Sequence, residues 1–553
     1  MQQPTFQSPQ GLELRINQLV ASLSVEEKVG QLFMLAFAGQ DLSYACELVQ
    51  QFHIGGFYLT DDNAPDPEAA VQLANQLQQL AALRSCDAPL ILGVDQEGAW
   101  GVLTHHTVLG PGNLALGVAN NLVLTDAIYQ QYAEQMLQLG YNTILAPCAD
   151  VNSNPDNPII GQRAFGSEPA LVSRHVSAAV RALTTKGAQS CAKHFPGHGD
   201  TATDSHSGLP VVHLSRQQLL DSHLQPFIAA IAAGVPLIMT SHILYPALDP
   251  IWPATLSPAI LTGLLRQQLG FDGVILTDSM NMGAMRRHYS PVAAAVQALE
   301  AGADLIMLSE EHYENERTDY KQLQRATIEG VIAAVGQGEL AENKLDQALR
   351  RVLRLRYQLS SKPAPGLVQP VKPTSPSVLE LTAAKSAVRV LRNQAGHLPL
   401  RQQHCQTLNV AFVADPAGYD QICNSRGIGP NDPIPASQAC WQQLQLSASA
   451  QAIKLNLLSY AQLQQLLQGQ LQLPAEQLLL LVTEDYPLPG EQLDLAAQQQ
   501  KVTQACQLFQ HQVLVLALRS DAELARYPQL STYLCSYSSR RCSAIVAAES
   551  LFK

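Results

Sequence analysis

Fourteen consecutive positions, 193 to 206, hold the densest set of proton-transfer groups in the chain: Lys193, His194, His198, Asp200, Asp204 and His206. Pro196 and two glycines interrupt this segment, which excludes a regular helix and favours a loop that can change shape. Histidine exchanges protons near neutral pH, and aspartate can orient it. The segment therefore predicts an active-site loop that carries its own acid/base group.

Eight short apolar runs, separated by amphipathic helical stretches, precede residue 360. They cover 31–37, 54–59, 90–94, 143–147, 188–192, 236–240, 273–277 and 303–307. Eight β-α repeats over this length fit a (β/α)8 barrel with insertions better than an open doubly wound sheet. The predicted fold class is α/β, with an N-terminal TIM-type barrel.

Polar side chains stand at the ends of four of these runs. Asp95 follows the third, Lys193 and His194 the fifth, His242 the sixth and Asp278 the seventh. Barrel enzymes carry their functional groups at the carboxyl ends of the strands. These residues are therefore expected to meet at one rim of the barrel.

The chain divides into two predicted domains, a barrel over 1–359 and a smaller α/β sandwich over 378–553. A segment with five prolines, 360–377, is predicted to link them. In the second domain a helix is predicted over 378–393. Strands are predicted there over 407–413, 477–483 and 512–518, and amphipathic helix over 443–472.

Composition excludes several classes of function. A formal charge of -12 without a basic stripe argues against nucleic-acid binding. The sequence contains no run of eighteen apolar residues, so no membrane-spanning helix is predicted. No secretion signal is visible at the start, which predicts a cytoplasmic location, although a chain whose signal had been removed would read the same. The ten scattered cysteines predict buried free thiols.

Six motifs in the first domain resemble those of glycoside hydrolase family 3, in its β-N-acetylhexosaminidase branch. They are ILGVDQEG (91–98), APCADVNSNPDNPIIGQRAFGSEP (146–169), AKHFPGHGDTATDSHSGLP (192–210), MTSHILYPALDP (239–250), PATLSPAIL (253–261) and LGFDGVILTDSMNMGAM (269–285). The second domain resembles that family's α/β sandwich through 381–400 and 515–528. The arrangement from KHFPGHG to DSH is highly specific.

The resemblance implies a retaining β-glycosidase that hydrolyses terminal β-linked N-acetylglucosamine (GlcNAc). It implies Asp278 as the nucleophile and His206, held by Asp204, as the acid/base. It places substrate-binding positions at Asp95, Arg163, Lys193, His194 and Met280. The implied partner is a carbohydrate, with cell-wall fragments met in peptidoglycan recycling as the natural source, and no metal or organic cofactor is implied.

The chemistry of these residues agrees with that implication. Retaining hydrolysis needs one group to attack the anomeric carbon and another to protonate the leaving oxygen and then deprotonate water. Asp278 at a strand end suits the first role, and His206 can both give and take a proton. An aspartate at 204 can orient the imidazole, as in catalytic triads.

One position departs from the family pattern. The arginine that usually follows the DQEG motif and contacts the sugar is Leu103 here. The lost contact is either missing or remade, with Trp100, His105 and His106 as candidates. Trp100 can equally stack on a sugar or fill a gap in the altered loop.

Structural alternatives stand beside several functional assignments. Asp278 could cap the following helix, and Arg163 could be a buried ion-pair partner. His198 is expected to shape the loop, and Asp150 to form hydrogen bonds at the barrel rim. A zinc site at the histidines is disfavoured because Pro196 and the glycines preclude helical His-x3-His spacing.

Two further functions stay open at this point. A neutral histidine base does not repel phosphate, so a phosphorylase could release the sugar 1-phosphate instead of the free sugar. A sugar-binding protein without catalysis is the other alternative, since the 98–106 segment is altered.

Overall fold

The computed structural model describes residues 8–205, 208–309, 319–359, 364, 376–403, 405–415, 434–485 and 494–553. The chain forms two compact units. The first comprises Met1–Gln96, Thr125–Asn157 and Ser167–Gln369, and the second comprises Glu97–Leu124, Pro158–Gly166 and Pro370–Lys553. Most of the predicted linker, 360–377, lies outside the described residues, so the predicted domain boundaries stay a prediction.

An eight-stranded parallel sheet forms the centre of the first unit. Its strands are β1 (Phe33–Leu35), β2 (Gly56–Tyr58), β3 (Ile91–Val94), β4 (Thr143–Ile144), β5 (Gln189–Phe195), β6 (Leu237–Thr240), β7 (Val274–Leu276) and β8 (Ile306–Leu308). The order is β7-β6-β5-β4-β3-β2-β1-β8, and a parallel bridge from Leu276 to Leu305 joins the two ends. The predicted (β/α)8 barrel is confirmed, and each predicted run overlaps one strand.

The fifth strand differs from its prediction in length. It extends to Phe195, so Lys193 and His194 lie inside its carboxyl end and not in the loop after it. Ala192 and Phe195 both pair with β6, and the register shifts between them. The two polar residues are therefore held by a strand whose buried neighbours fix their backbone.

Eighteen helices are described, and more than half of them follow a Ser or Asp N-cap whose side chain accepts a hydrogen bond from a backbone N–H of the first turn. They are α1 (Pro9–Ser22), α2 (Val25–Gly30), α3 (Leu42–Gln50), α4 (Pro67–Ala81), α5 (Asn113–Ala119), α6 (Leu122–Leu139), α7 (Pro169–Lys186), α8 (Arg216–Asp221), α9 (Gln225–Ala232), α10 (Gly283–Arg286), α11 (Pro291–Ala301), α12 (Tyr320–Gly336), α13 (Glu342–Arg356), α14 (Val378–Ala387), α15 (Ala436–Ala450), α16 (Tyr460–Leu467), α17 (Leu495–Phe509) and α18 (Arg541–Ser550). A π-helical segment spans Ala259–Gln268. Within the described ranges, no helix has the length and hydropathy needed to cross a membrane.

The second unit contains a six-stranded mixed sheet. Its strands are β9 (Arg389–Asn393), β10 (Thr407–Phe412), β11 (Lys454–Leu457), β12 (Leu478–Glu484), β13 (Val513–Leu518) and β14 (Thr532–Cys535), in the order β11-β10-β12-β13-β14-β9. Only β9 is antiparallel. Apolar clusters cover both faces of this sheet, one including helices α15 and α18 and the other α16 and α17. The predicted α/β sandwich is confirmed.

Two predictions in the second unit are wrong in detail. The helix predicted over 378–393 ends at Ala387, because residues 389–393 pair with β14 as an edge strand. The helix predicted over 443–472 is interrupted by β11, which pairs with β10. In both places pairing with a neighbouring strand overrides the local helical pattern.

Candidate active site

The carboxyl end of the barrel brings the predicted substrate-binding pair Asp95 and Lys193 together. The Lys193 ammonium forms a buried ion pair with one carboxylate oxygen of Asp95. The Tyr58 hydroxyl donates to the other oxygen at 2.7 Å. Such a pair keeps both charges in place because each would be costly to bury alone.

Asp278 lies just beyond the end of β7. Its side chain is partly exposed, and Oδ1 accepts a hydrogen bond from the Ser279 backbone N–H at 2.8 Å. The next helix, α10, has Met282 at its N-cap. Asp278 therefore does not cap that helix, which removes the structural alternative for this residue.

The pKa of the buried Cys191 thiol on β5 depends on the charged side chains around it. Burial raises its pKa; Lys193 acts in the opposite sense, while the negative charges of Asp95 and Asp278 add to the increase. All three side chains are thus close enough to influence one strand position. The structure gathers Asp95, Lys193 and Asp278 at the carboxyl end of the barrel.

Two contacts fix the backbone that follows Asp278. The His242 Nε2–H donates to the Ser279 carbonyl at 2.8 Å, and His242 Nδ1 lies 2.8 Å from the Thr255 hydroxyl. A carbonyl can only accept, so this contact places the proton on Nε2. Met280 is buried, and its N–H donates to the Met307 carbonyl at 2.9 Å.

Asp150 is the hub of the histidine segment. Its Oδ1 accepts from the backbone N–H groups of His194 (3.3 Å) and His198 (2.6 Å). Its Oδ2 lies 2.7 Å from His194 Nδ1 and 3.2 Å from the Cys148 thiol. Burial alone would raise the pKa of Asp150, but the imidazoles and these hydrogen bonds outweigh burial and lower it to about 2.

Cys148, Asp150 and His194 also have the ligand types of a metal site, with their donor atoms within 4.8 Å of one another. Hydrogen bonds account for this arrangement. Four donors already surround the Asp150 carboxylate, and the His194 nitrogen that faces the carboxylate is used by it. These three residues are better described as a hydrogen-bonded cluster than as a set of metal ligands.

The loop after β5 is anchored in its first half. An added Cβ at Gly199 would lie 1.8 Å from the Val151 carbonyl oxygen, so only glycine allows this approach. His198 is buried, and its ring nitrogens contact the Thr201 and Ser205 hydroxyls at 3.0 and 2.9 Å. Burial and then the neighbouring His194 lower the pKa of His198 to about 4, so His198 is a neutral structural group at pH 7.

Of the predicted acid/base pair Asp204 and His206, the structure describes only Asp204. Asp204 is buried, and its negative charge acts to raise the pKa of His198. The Ser205 carbonyl accepts from the Ala284 N–H at 3.1 Å, which attaches this part of the loop to α10 just beyond Asp278. His206 lies outside the described residues.

Arg163 and the altered segment after β3 belong to the second unit. Arg163 is buried and donates from Nε and Nη2 to the two oxygens of Glu97 at 3.2 and 3.1 Å. Its guanidinium lies 3.7 Å from the centre of the Trp100 ring. One face of Trp100 is thus taken by Arg163, and the substrate contact predicted for Arg163 stays a prediction beside its role as an ion-pair partner.

Leu103 does not supply the polar contact of the arginine that the family has at this position. Its side chain is buried, its φ is 50°, and its carbonyl accepts from the His106 N–H at 2.7 Å. The Thr107 hydroxyl donates to the Val102 carbonyl at 2.8 Å. Leu103 therefore forms part of a closed turn, while His105 is exposed.

Comparison with known proteins assigns the chain to a family. Residues 24–355 match the model of the glycosyl hydrolase family 3 N terminal domain, so the chain belongs to glycosyl hydrolase family 3. A beta-hexosaminidase A from Pseudoalteromonas piscicida is 33% identical over 374 residues, which are 64% of this chain and 62% of that protein. The chain thus spans less than two thirds of that relative's length.

Solved structures extend the likeness to both units. A glycoside hydrolase family 3 β-N-acetylglucosaminidase from Paenibacillus sp. str. FPU-7 has a TM-score of 0.81 and 30% identity, covering 96% of this chain and 97% of its own. A β-glucoside phosphorylase, BglX bound to 2FGlc, has a TM-score of 0.80 at 19% identity, covering 100% of this chain and 96% of its own. The latter likeness shows the fold alone.

Three contacts of this arrangement are not predicted by the sequence. Asp150 was expected only to form rim hydrogen bonds, whereas it organises two histidines. The sequence places His242 at a strand end but does not indicate its contact with the Ser279 carbonyl, and it does not indicate that Glu97 pairs with Arg163. Their position after buried strands was the available signal, but the partner of each is far away in the sequence.

Proposed function

We propose that this protein is a retaining exo-β-N-acetylglucosaminidase. The observation that supports this most is Asp278, a partly exposed carboxylate at the end of β7 with one oxygen held by the next backbone N–H. A nucleophile on a barrel strand end is held rigidly, as double displacement requires. The buried Asp95–Lys193 pair at the same end adds polar groups that suit sugar hydroxyls.

In the first step an Asp278 oxygen attacks the anomeric carbon while the bond to the leaving oxygen breaks. The His206 imidazolium gives its proton to that oxygen, so the leaving group departs neutral. In the second step His206 takes a proton from water, the water oxygen attacks the anomeric carbon, and the bond to Asp278 breaks. Asp204 orients the imidazole and stabilises its charged form.

Sugar recognition is proposed for the other predicted positions. Lys193 donates to a hydroxyl while Asp95 accepts from one, and their mutual ion pair fixes both in a single geometry. The His194 ring is held at Nδ1 by Asp150, which fixes the orientation of the imidazole that we propose contacts the sugar. Met280 contributes apolar contact, and Arg163 is retained as a candidate contact.

The substrate class is a terminal β-linked GlcNAc residue. Two similar proteins support this choice by name, a beta-hexosaminidase A and a β-N-acetylglucosaminidase. We further propose fragments of the bacterial cell wall, handled in the cytoplasm, as its natural source. This finer assignment rests on the motif resemblance and is tested with the GlcNAc–anhydromuramic acid disaccharide beside chitobiose.

The test compares 4-nitrophenyl β-GlcNAc with 4-nitrophenyl β-glucoside, each with and without inorganic phosphate and with EDTA. We expect the acetamido sugar to be preferred, free GlcNAc to be released, and EDTA to leave the rate unchanged. Sugar 1-phosphate as the product would establish a phosphorylase. Binding of GlcNAc without turnover of either glycoside would establish the non-catalytic alternative.

Variants of the nucleophile complete the test. Asp278→Ala and Asp278→Asn should abolish turnover, because neither side chain can form the glycosyl ester. Ordinary activity in either variant would refute the proposal. Asp272→Asn is a matched control, since this carboxylate is exposed and lies before the same strand.

A further inference from the structure

Two loops at the carboxyl end of the barrel hold the described parts of the acid/base loop on both sides of His206. In the loop after β6, the Leu244 N–H donates to the Pro210 carbonyl at 3.0 Å. In the loop after β7, the Ala284 N–H donates to the Ser205 carbonyl at 3.1 Å. All four residues belong to the first unit. The segments that precede and follow His206 are thus attached to the loops after β7 and β6.

These attachments determine which part of a substrate the two loops can reach. In the function proposed above, the acid/base protonates the oxygen that joins the cleaved sugar to its leaving group, so it must lie within hydrogen-bond reach of that oxygen. The same two loops are joined next to Asp278, where His242 donates to the Ser279 carbonyl at 2.8 Å. Side chains that these loops expose are therefore placed on the leaving-group side of the bond that is cleaved.

Both loops expose large apolar and aromatic side chains that lie together. Ile251 in the loop after β6 is 72% exposed, and Trp252 beside it is partly exposed. The ring of the partly exposed Tyr289, after β7, lies 6.0 Å from the Trp252 ring, with 34° between their planes. The exposed His288 ring lies 6.4 Å from that of Tyr289. One exposed apolar residue is ordinary, but a contiguous patch indicates a binding surface. We call these four residues the aromatic platform.

The backbone that presents Ile251 and Trp252 is already fixed by a buried carboxylate. Asp249 Oδ1 accepts from the Ile251 N–H at 2.8 Å and from the Trp252 N–H at 3.1 Å. Its Oδ2 accepts from the Ser257 hydroxyl at 2.6 Å. A surface that is ordered in advance loses little conformational entropy when a ligand binds.

We propose that the aromatic platform binds sugar units on the leaving-group side of the substrate. This inference rests on the function proposed above. The face of a β-linked pyranose presents C–H groups that can lie against an aromatic ring, and the Trp252 indole N–H and the Tyr289 hydroxyl can bond to hydroxyls at the edge of the sugar. The ligand class is a neutral β-linked GlcNAc oligomer, and the platform would favour longer substrates over simple glycosides.

The first experiment varies the length of the leaving group. KM is measured for chitotetraose and for methyl β-GlcNAc, whose leaving group, methanol, cannot stack on a ring. In Trp252→Ala the KM for chitotetraose, divided by that for methyl β-GlcNAc, should rise roughly tenfold, as expected for one lost stacking contact. Trp252→Phe should recover part of the loss, because phenylalanine keeps an aromatic face.

Trp441→Ala is a matched control. Trp441 is partly buried and packs against an apolar cluster of the second unit, so this variant should lower Tm and leave the KM ratio unchanged. An unchanged ratio in folded Trp252→Ala, or an equal rise in Trp441→Ala, would overturn the inference. A change in the molar mass of Trp252→Ala, measured by light scattering, would also overturn it, because the platform would then be a contact between copies of the chain.

A second readout does not depend on turnover. Chitotetraose is titrated into Asp278→Asn while tryptophan emission is recorded, and the change in emission should disappear when Trp252→Phe is added. The chain has three tryptophans, so a change that persists would come from another one and would overturn the inference. A change that depends on Trp252, in a protein whose wild type cleaves no GlcNAc glycoside, would overturn only the proposed function.

Discussion

Replacing Asp150 by asparagine tests whether the histidine segment is organised by a buried charge. The substitution keeps the size of the side chain but removes the negative charge that two backbone N–H groups, an imidazole and a thiol surround. The amide can still accept from backbone N–H groups through its oxygen. It brings no negative charge to the contact with His194 Nδ1, which lies 2.7 Å from Asp150 Oδ2.

The magnitude follows from the pKa of Asp150. Its value in the folded protein is about 2, against an ordinary value of 3.8. A depressed carboxyl pKa stabilises the fold above the ordinary value, and that stabilisation is lost as pH falls toward the folded value. A difference of nearly two units corresponds to about 2.5 kcal/mol at pH 7.

Urea unfolding followed by circular dichroism measures this contribution directly. Asp150→Asn should lose about 2.5 kcal/mol in free energy of unfolding at pH 7, and its deficit should shrink between pH 4 and pH 2. Asp156→Asn, the same change on an exposed side chain of the same segment, should cost little. A deficit of equal size at pH 7 and pH 3, or no deficit at pH 7, would refute the reasoning.

Three further predictions follow from the site. His206→Ala should lose about 10²- to 10⁴-fold in kcat on chitobiose but far less on 4-nitrophenyl β-GlcNAc, because a good leaving group needs little protonation. Gly199→Ala should lose about 3 kcal/mol or more of unfolding free energy, since its methyl group would overlap the Val151 carbonyl. Glu97→Gln should cost about 3 to 5 kcal/mol, measured by urea unfolding, because it removes the carboxylate charge of a buried ion pair with Arg163.

Each of these predictions has its own contradicting result. Equal losses on both substrates would argue against His206 as the acid. Gly336→Ala is the control for the glycine variant, because an added Cβ there meets nothing within 4 Å, and similar stability of the two variants would contradict the close approach. A Glu97→Gln protein as stable as wild type would show that the Glu97–Arg163 ion pair does not stabilise the fold.

The barrel was predictable because its strands are short, apolar and regularly spaced. All eight runs overlap observed strands, and Asp95 and Asp278 follow strands as expected. Burial on both faces makes such strands continuous apolar runs in the sequence. The positions of Asp95, Lys193 and Asp278 at the carboxyl ends of those runs were therefore enough to predict that they lie at one rim of the barrel.

The remaining features depend on contacts between residues far apart in the chain. Residues 389–393 were predicted as helix because nothing local shows that they pair with β14. The four donors around Asp150 come from two segments more than forty residues apart. Arg540 contacts carbonyls at 98 and 99, and no pattern within either segment indicates the other.

The most direct test of the central assignment is to trap the covalent intermediate on Asp278. The protein is incubated with the 5-fluoro glycosyl fluoride of GlcNAc, which forms the glycosyl ester but slows its hydrolysis, and is then digested for mass spectrometry. We predict one added fluorosugar on the peptide that contains Asp278, and none in Asp278→Asn. An adduct on another residue, or steady turnover of GlcNAc glycosides without any adduct, would contradict the account.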